Sequence, residues 1–380
     1  MDRYGMKLFQ CQNCGQPLYF ENTRCERCGL ALGYLPEPET ITALKQEGDV
    51  TDLTQKVWRS LADQKTYRYC ANAAYEVCNW LVSTSRPDAY CLACRHNRII
   101  PDLSFADNLE KWRALEVAKH RLFYSLIQLR LPIETRWESS SGLSFKFLAD
   151  VESSDAAVMT GHVDGVITIN IAEADDAERE RRRQKMGELY RTPLGHFRHE
   201  IGHYYWDRLI ADSPHLENFR RIFGDERRNY DRALRDYYAN GPTADWSEHF
   251  ISAYASSHPW EDFAETWAHY FHMIDTLETA HVTGLAVSPL LPQSPGAVFD
   301  FHPSEAGMHQ LLEAWIALTF AVNSINRSMG LRDLYPFVLG PSVVAKLTFV
   351  QQRIRAVSGR ASDLDVPDRT FAPREKQNAS

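Results

Sequence analysis

His199-Glu200-Ile201-Gly202-His203 sets two imidazoles four residues apart, with a carboxylate beside the first. On an α-helix this spacing separates the rings by one turn and about 40° around the axis, so both can reach one metal ion. Glu200 then sits where it can take a proton from a water on that ion. A third histidine at 209 with glycine at 206 would complete one ligand set, but Trp206 and Leu209 occupy those positions and exclude it. A glutamate from a second helix is the other solution. Pro259-Trp260-Glu261-Asp262-Phe263-Ala264-Glu265 opens such a helix, with proline near its first turn. We expect Glu261 on the metal and Glu265, one turn on, hydrogen-bonded to a ligating histidine. The reverse assignment satisfies the same spacing. Tyr254, seven residues before Glu261, can lean over the open metal position and donate to an oxyanion.

A second chemistry is written in the cysteines. All eight precede residue 95. Cys11-x2-Cys14 and Cys25-x2-Cys28 are two knuckles, each followed by a glycine, Gly15 and Gly29. Each knuckle aims two thiolates at one ion about 2.3 Å away, and two knuckles close a tetrahedral structural zinc with no open position. Cys91 and Cys94 form a third knuckle. Cys70 and Cys78 stand upstream without knuckle spacing, and the four together predict a second zinc. The alternatives are that Cys70 and Cys78 are small buried apolar residues, or that His96 replaces one of them.

Several elements must position these groups. Asp107–Leu131 repeats apolar residues at helical spacing, with Leu115, Ala118, Leu122 and Leu126 on one face. Leu143–Ile171 reads as strands, ending in a β-branched run after Gly165. That run is either an edge strand able to pair with an extended peptide or an interior strand. Glu173–Glu188 is highly charged and reads as a solvated helix start or connector. From Thr192 to about Arg355 the pattern is helical. Within it, His196 and Asp207 share a face with the motif histidines and read as supporting or packing residues. His249, His258, His269 and His272 carry no spacing argument and read as structural or solvated. Residues 357–380 are polar and read as a disordered tail.

Composition narrows the partners. With 42 Lys and Arg against 50 Asp and Glu, the net charge is −8, against broad binding to nucleic acid. The first hundred residues are nearly balanced and weaken nucleic acid further as their target. No apolar run is long enough to span a bilayer, and no signal peptide is evident at Met1–Cys11. With paired cysteines this favours a cytoplasmic location.

The stretches Cys11–Cys28, Cys70–Asn79, Cys91–Leu103, Gly195–Asp207 and Pro259–Tyr270 together resemble a bacterial family of zinc-binding metallopeptidases that join an N-terminal zinc-ribbon region to a zincin-like domain. The ligand arrangement is similar to the gluzincin type, and the spacing Tyr254-x6-Glu261-x3-Glu265 is similar to the active-site segment of the anthrax lethal factor protease domain. There the corresponding tyrosine assists catalysis and the first glutamate binds zinc.

The expected architecture is α+β: a zinc-ribbon region over 1–100 with one or two four-cysteine zincs, then a mostly helical zincin-like domain over 101–356. The expected function is peptide-bond hydrolysis. His199, His203 and Glu261 hold zinc, Glu200 is the base and Tyr254 assists. The substrate is a peptide or protein, and a protein partner can dock on the ribbon. The alternative is an adaptor whose ribbons bind a partner while the zincin scaffold is catalytically idle. The intact Glu200 counts against it.

Overall fold

Glycine-assisted turns and short strands build the first part of the chain. The computed structural model describes residues 8–48, 56–150, 158–186, 191–291 and 293–359. Strands β1 (Phe9–Gln10) and β2 (Pro17–Leu18) form a small hairpin around the first cysteine knuckle. Next, β3 (Ala31–Leu35), β4 (Thr40–Glu47), β5 (Val57–Ser60), β6 (Thr66–Tyr69) and β7 (Leu81–Ser83) make a five-stranded antiparallel meander. An isolated bridge between Tyr34 and Trp80 draws its first strand toward the entry to its last.

The second sheet has four strands in the order β10, β11, β9, β8: β8 (Asn97–Ile99), β9 (Ser144–Leu148), β10 (Gly161–Val163) and β11 (Val166–Asn170). β8 and β11 run parallel to β9, and β10 runs antiparallel to β11. The β10–β11 turn is Asp164-Gly165, with φ of 48° and 75°. Two consecutive positive φ values are what a tight hairpin needs, and Asp-Gly supplies them at low cost. A Cβ on Gly165 would also lie 2.5 Å from the carbonyl oxygen of Gly142. The β-branched run is therefore the interior strand β11, buried at Ile167 and Ile169. The edge strand beside it is β10, which packs beside the motif helix, and β8 forms the other edge.

Helices supply the rest, giving an α+β fold with a strand-rich N-terminal part. They are α1 (Ala106–Gln128), α2 (Asp176–Met186), α3 (Pro193–Trp206), α4 (Leu216–Phe223), α5 (Tyr230–Asn240), α6 (Trp246–His249), α7 (Pro259–Val282), α8 (Met308–Ser328) and α9 (Pro341–Ser358). Strands β12 (Ala286–Val287) and β13 (Ala297–Val298) pair in the connection between α7 and α8. The helix expected over 107–131 ends at Gln128, because Arg130 turns to φ 52° and Pro132 follows. Of the tail expected over 357–380, residues 357 and 358 belong instead to α9, which runs through Ser358, and residues from 360 on lie outside the described residues.

One apolar core runs from the ribbon into the helices. Trp80 and Tyr34 pack tilted at 4.6 Å in the ribbon, Phe20 meets Tyr124 of α1 at 5.5 Å, and Phe145 of β9 meets Phe197 of α3 at 5.8 Å. Such aromatic pairs bury large areas and prefer these tilted geometries. Among the described residues no helix is long and apolar enough to cross a membrane.

Candidate metal centre

α3 begins where the sequence expects. Thr192 accepts from Gly195 N–H at 3.0 Å, and Pro193 follows at the first helical position, where its missing N–H costs nothing. α7 begins in the same manner, with His258 Nδ1 accepting from Trp260 N–H at 3.1 Å ahead of Pro259. The two helices cross at Gly202, where a Cβ would lie 2.9 Å from Ala264 Cα. This close approach lets side chains one turn either side of the crossing converge.

Three ligand atoms gather there, from His199, His203 and Glu261, all within 4.8 Å of one another. The two Nε2 atoms are 3.2 Å apart. Glu261 Oε2 lies 3.0 Å from His199 Nε2, and Oε1 lies 3.5 Å from His203 Nε2. Glu261 Oε2 and His203 Nδ1 are buried with no hydrogen bond of acceptable geometry. Two imidazole nitrogens and a carboxylate converging in a buried site, one oxygen left over, is the donor chemistry of a zinc site with an open position. These residues fit the ion.

Glu265, one turn along α7, meets the other side of His199, with Oε1 2.7 Å from Nδ1 and Oε2 accepting from Ser252 Oγ at 2.6 Å. Burial opposes charge on His199, yet its close contacts with the Glu261 and Glu265 carboxylates carry the imidazole well above its usual range. Burial also opposes charge on Glu265, but the His199 contact holds its carboxyl down at about 2. Glu200 is 8% exposed, and burial raises its carboxyl above the ordinary value. A raised pKa suits a base that must later return its proton.

Tyr254 sits on a short turn before α7, its ring 6.0 Å from that of His199 and 5.8 Å from Tyr237. Burial, with Glu261 adding to it, holds its phenol well above the usual range, so it remains a donor. A second phenol joins the site. Tyr230, at the start of α5, donates to Glu261 Oε1 at 2.6 Å. Its only sequence signal is the helix start at Asn229, which caps Arg232 N–H. Trp260 packs on His203 at 4.6 Å, and His162 of β10 stacks behind His203 at 6.4 Å.

Other candidates serve elsewhere. His196 Nδ1 lies 3.3 Å from Glu173 Oε2, and Arg191 pairs with the same carboxylate at 2.8 Å. Glu173 is thus buried, not solvated, although it opens the charged stretch. Asp207 begins a π-helical turn, 3.9 Å from His162 Nδ1, and burial raises its carboxyl to about 6. His258 caps α7, His269 hydrogen-bonds Tyr335, His272 accepts from Arg198, and His249 is exposed near Asp245.

The cysteines form two further clusters, and all eight are free of disulfides. In the first, Cys11 and Cys28 Sγ are 3.7 Å apart, and Cys14 and Cys25 Sγ are 3.6 Å apart. Tetrahedral thiolates at about 2.3 Å from zinc are separated by roughly that much. Gly15 and Gly29, at φ 75° and 74°, close both knuckles. The second brings Cys70, Cys78, Cys91 and Cys94 together, all buried, with Cys78 and Cys91 Sγ at 3.7 Å. His96 does not join them: its Nδ1 and Nε2 each lie 2.9 Å from a carbonyl oxygen, of Leu92 and Ile133. Both cradles fit zinc.

A family profile described as "Putative zinc-binding metallo-peptidase" matches residues 108–353, and one described as "zinc-ribbon domain" matches residues 8–105. The chain is 40% identical over 357 residues to uncharacterized proteins of Mycobacterium bovis and Mycobacterium tuberculosis, covering 93% of this chain and 96% of each relative. No solved structure matches it. On the extent of these matches, the chain belongs to the zinc-binding metallo-peptidase family, with a zinc-ribbon domain at its N-terminal end.

Proposed function

We propose that the protein hydrolyses peptide bonds with one zinc held by His199, His203 and Glu261. The reading rests on one observation: both Nε2 atoms and the Glu261 carboxylate meet at one buried point. Zinc in that cradle supplies Lewis acidity and a water whose pKa falls toward about 7. Glu200 takes the proton of the attacking water and hands it to the leaving amine. Tyr254 donates to the oxyanion. Glu265 fixes the tautomer and ring plane of His199, and Tyr230 holds Glu261.

In this reading residues 1–100 are a ribbon region with two structural zincs, and residues 101–356 are the catalytic domain. The substrate is a peptide or protein, and the ribbon is the surface for a protein partner. Reduced cysteine clusters suit the cytoplasm. The test is cleavage of a peptide library by the full chain and by Glu200→Gln. The variant should retain its zinc and lose turnover by about 100-fold or more. Wild-type turnover in Glu200→Gln would refute the mechanism, and an inert wild type with full zinc would favour the adaptor.

A further inference from the structure

The second cysteine cluster is approached from outside the ribbon as well. α1 reaches into it with His120, which is 4% exposed and whose Nε2 lies 3.3 Å from Cys78 Sγ and 3.6 Å from Cys94 Sγ. The other ring nitrogen, Nδ1, lies 2.6 Å from the carbonyl oxygen of Glu116. A carbonyl only accepts, so Nδ1 carries the hydrogen and Nε2 presents its lone pair to the sulfurs. That is the tautomer and outer hydrogen bond of a zinc-ligating imidazole. Trp80 packs edge-on against the ring at 5.1 Å and fixes its plane.

The neighbouring acid, Glu116, also faces Cys94 Sγ at 3.9 Å, but both its oxygens are engaged by other partners. Glu116 Oε1 accepts from Trp112 Nε1 at 3.0 Å and Asn97 Nδ2 at 2.7 Å, and Oε2 pairs with the buried Lys119 at 2.8 Å. His120 is therefore the donor that α1 offers. Of the two cysteines it faces, Cys78 is nearer to Nε2 than Cys94. It is also the least buried, at 9% exposure against 1–2% for Cys70, Cys91 and Cys94. Cys78 lies outside any two-residue knuckle, whereas Cys91 and Cys94 are held in one, with Cys94 N–H on Cys91 Sγ at 3.4 Å.

We propose that His120 is a fifth donor of the second zinc site, able to take the place of Cys78 on the ion. With His120 on the ion, zinc fastens the ribbon directly to α1, the helix that packs against α3. The site keeps its metal through loss of one thiolate, because the Zn–S bond to Cys78 is replaced by a Zn–N bond to His120.

The test is zinc content per full-length chain. Cys91→Ser should lose one zinc, Cys78→Ser should lose none, and Cys78→Ser with His120→Ala should lose one. Cobalt-loaded Cys78→Ser should show a visible spectrum shifted from four-sulfur toward three-sulfur, one-nitrogen coordination. Loss of a zinc from folded Cys78→Ser, or its retention in the double variant, would overturn the proposal. A second measurement does not depend on Cys78→Ser folding. His120→Ala alone should release one zinc to a chelator about 10-fold faster than wild type, and superimposable release curves would equally overturn it.

Discussion

Tyr230 donates its phenolic hydrogen to Glu261 Oε1 at 2.6 Å, across 31 residues of sequence. The same carboxylate faces two imidazoles, and the phenol helps set its rotamer toward them. Tyr230→Phe removes the donor and keeps the ring that packs on His258 and Trp260. Zinc affinity at the His199–His203–Glu261 site should fall about 10–100-fold. Competition with a chromogenic chelator reads this, with the cysteine-bound zincs as an internal reference.

Each chain should hold about three zincs, two on cysteines and one between α3 and α7. His199→Ala should lower elemental zinc to about two. A variant that still holds three would mean the imidazole pair does not hold an ion.

Gly202 marks where α3 and α7 touch. Its missing Cβ leaves room for Ala264 Cα, and backbone cannot step aside as a side chain can. Gly202→Ala should therefore cost about 1–3 kcal/mol in unfolding free energy. It should also deplete the zinc between the helices while leaving the cysteine sites filled. Chemical denaturation with zinc analysis on the same sample checks both.

His162 gives a pH signature. Burial, with the neighbouring His203 adding to it, depresses its imidazole to about 3, while its Nε2 accepts from Gly165 N–H at 2.9 Å. A histidine whose folded pKa lies below its unfolded value of about 6.5 contributes stability that is complete above pH 6.5 and lost as pH falls toward 3. His162→Gln retains an acceptor for Gly165 and does not titrate. The melting temperature of wild type should drop more steeply than that of the variant between pH 7 and pH 4. Parallel curves would show that His162 is charged in the folded protein.

What was legible followed from local rules. Knuckles, helix starts and the four-residue spacing of His199 and His203 are short-range patterns, so the motif helix, the proline-led start of α7 and both cysteine sets stood out in the chain.

Sequence alone fixed which residue types could hold metal and on which elements they sit. It left open whether 165–171 was an edge, whether His96 joined the cysteines, and which of Glu261 and Glu265 faced the two Nε2 atoms. Those depended on the crossing of α3 and α7 at Gly202, on β10 folding back outside β11, and on α1 lying against the ribbon. Tyr230 and His120 were invisible for the same reason. Each acts on a partner 31 to 42 residues away, and packing between elements, not periodicity within one, sets such distances.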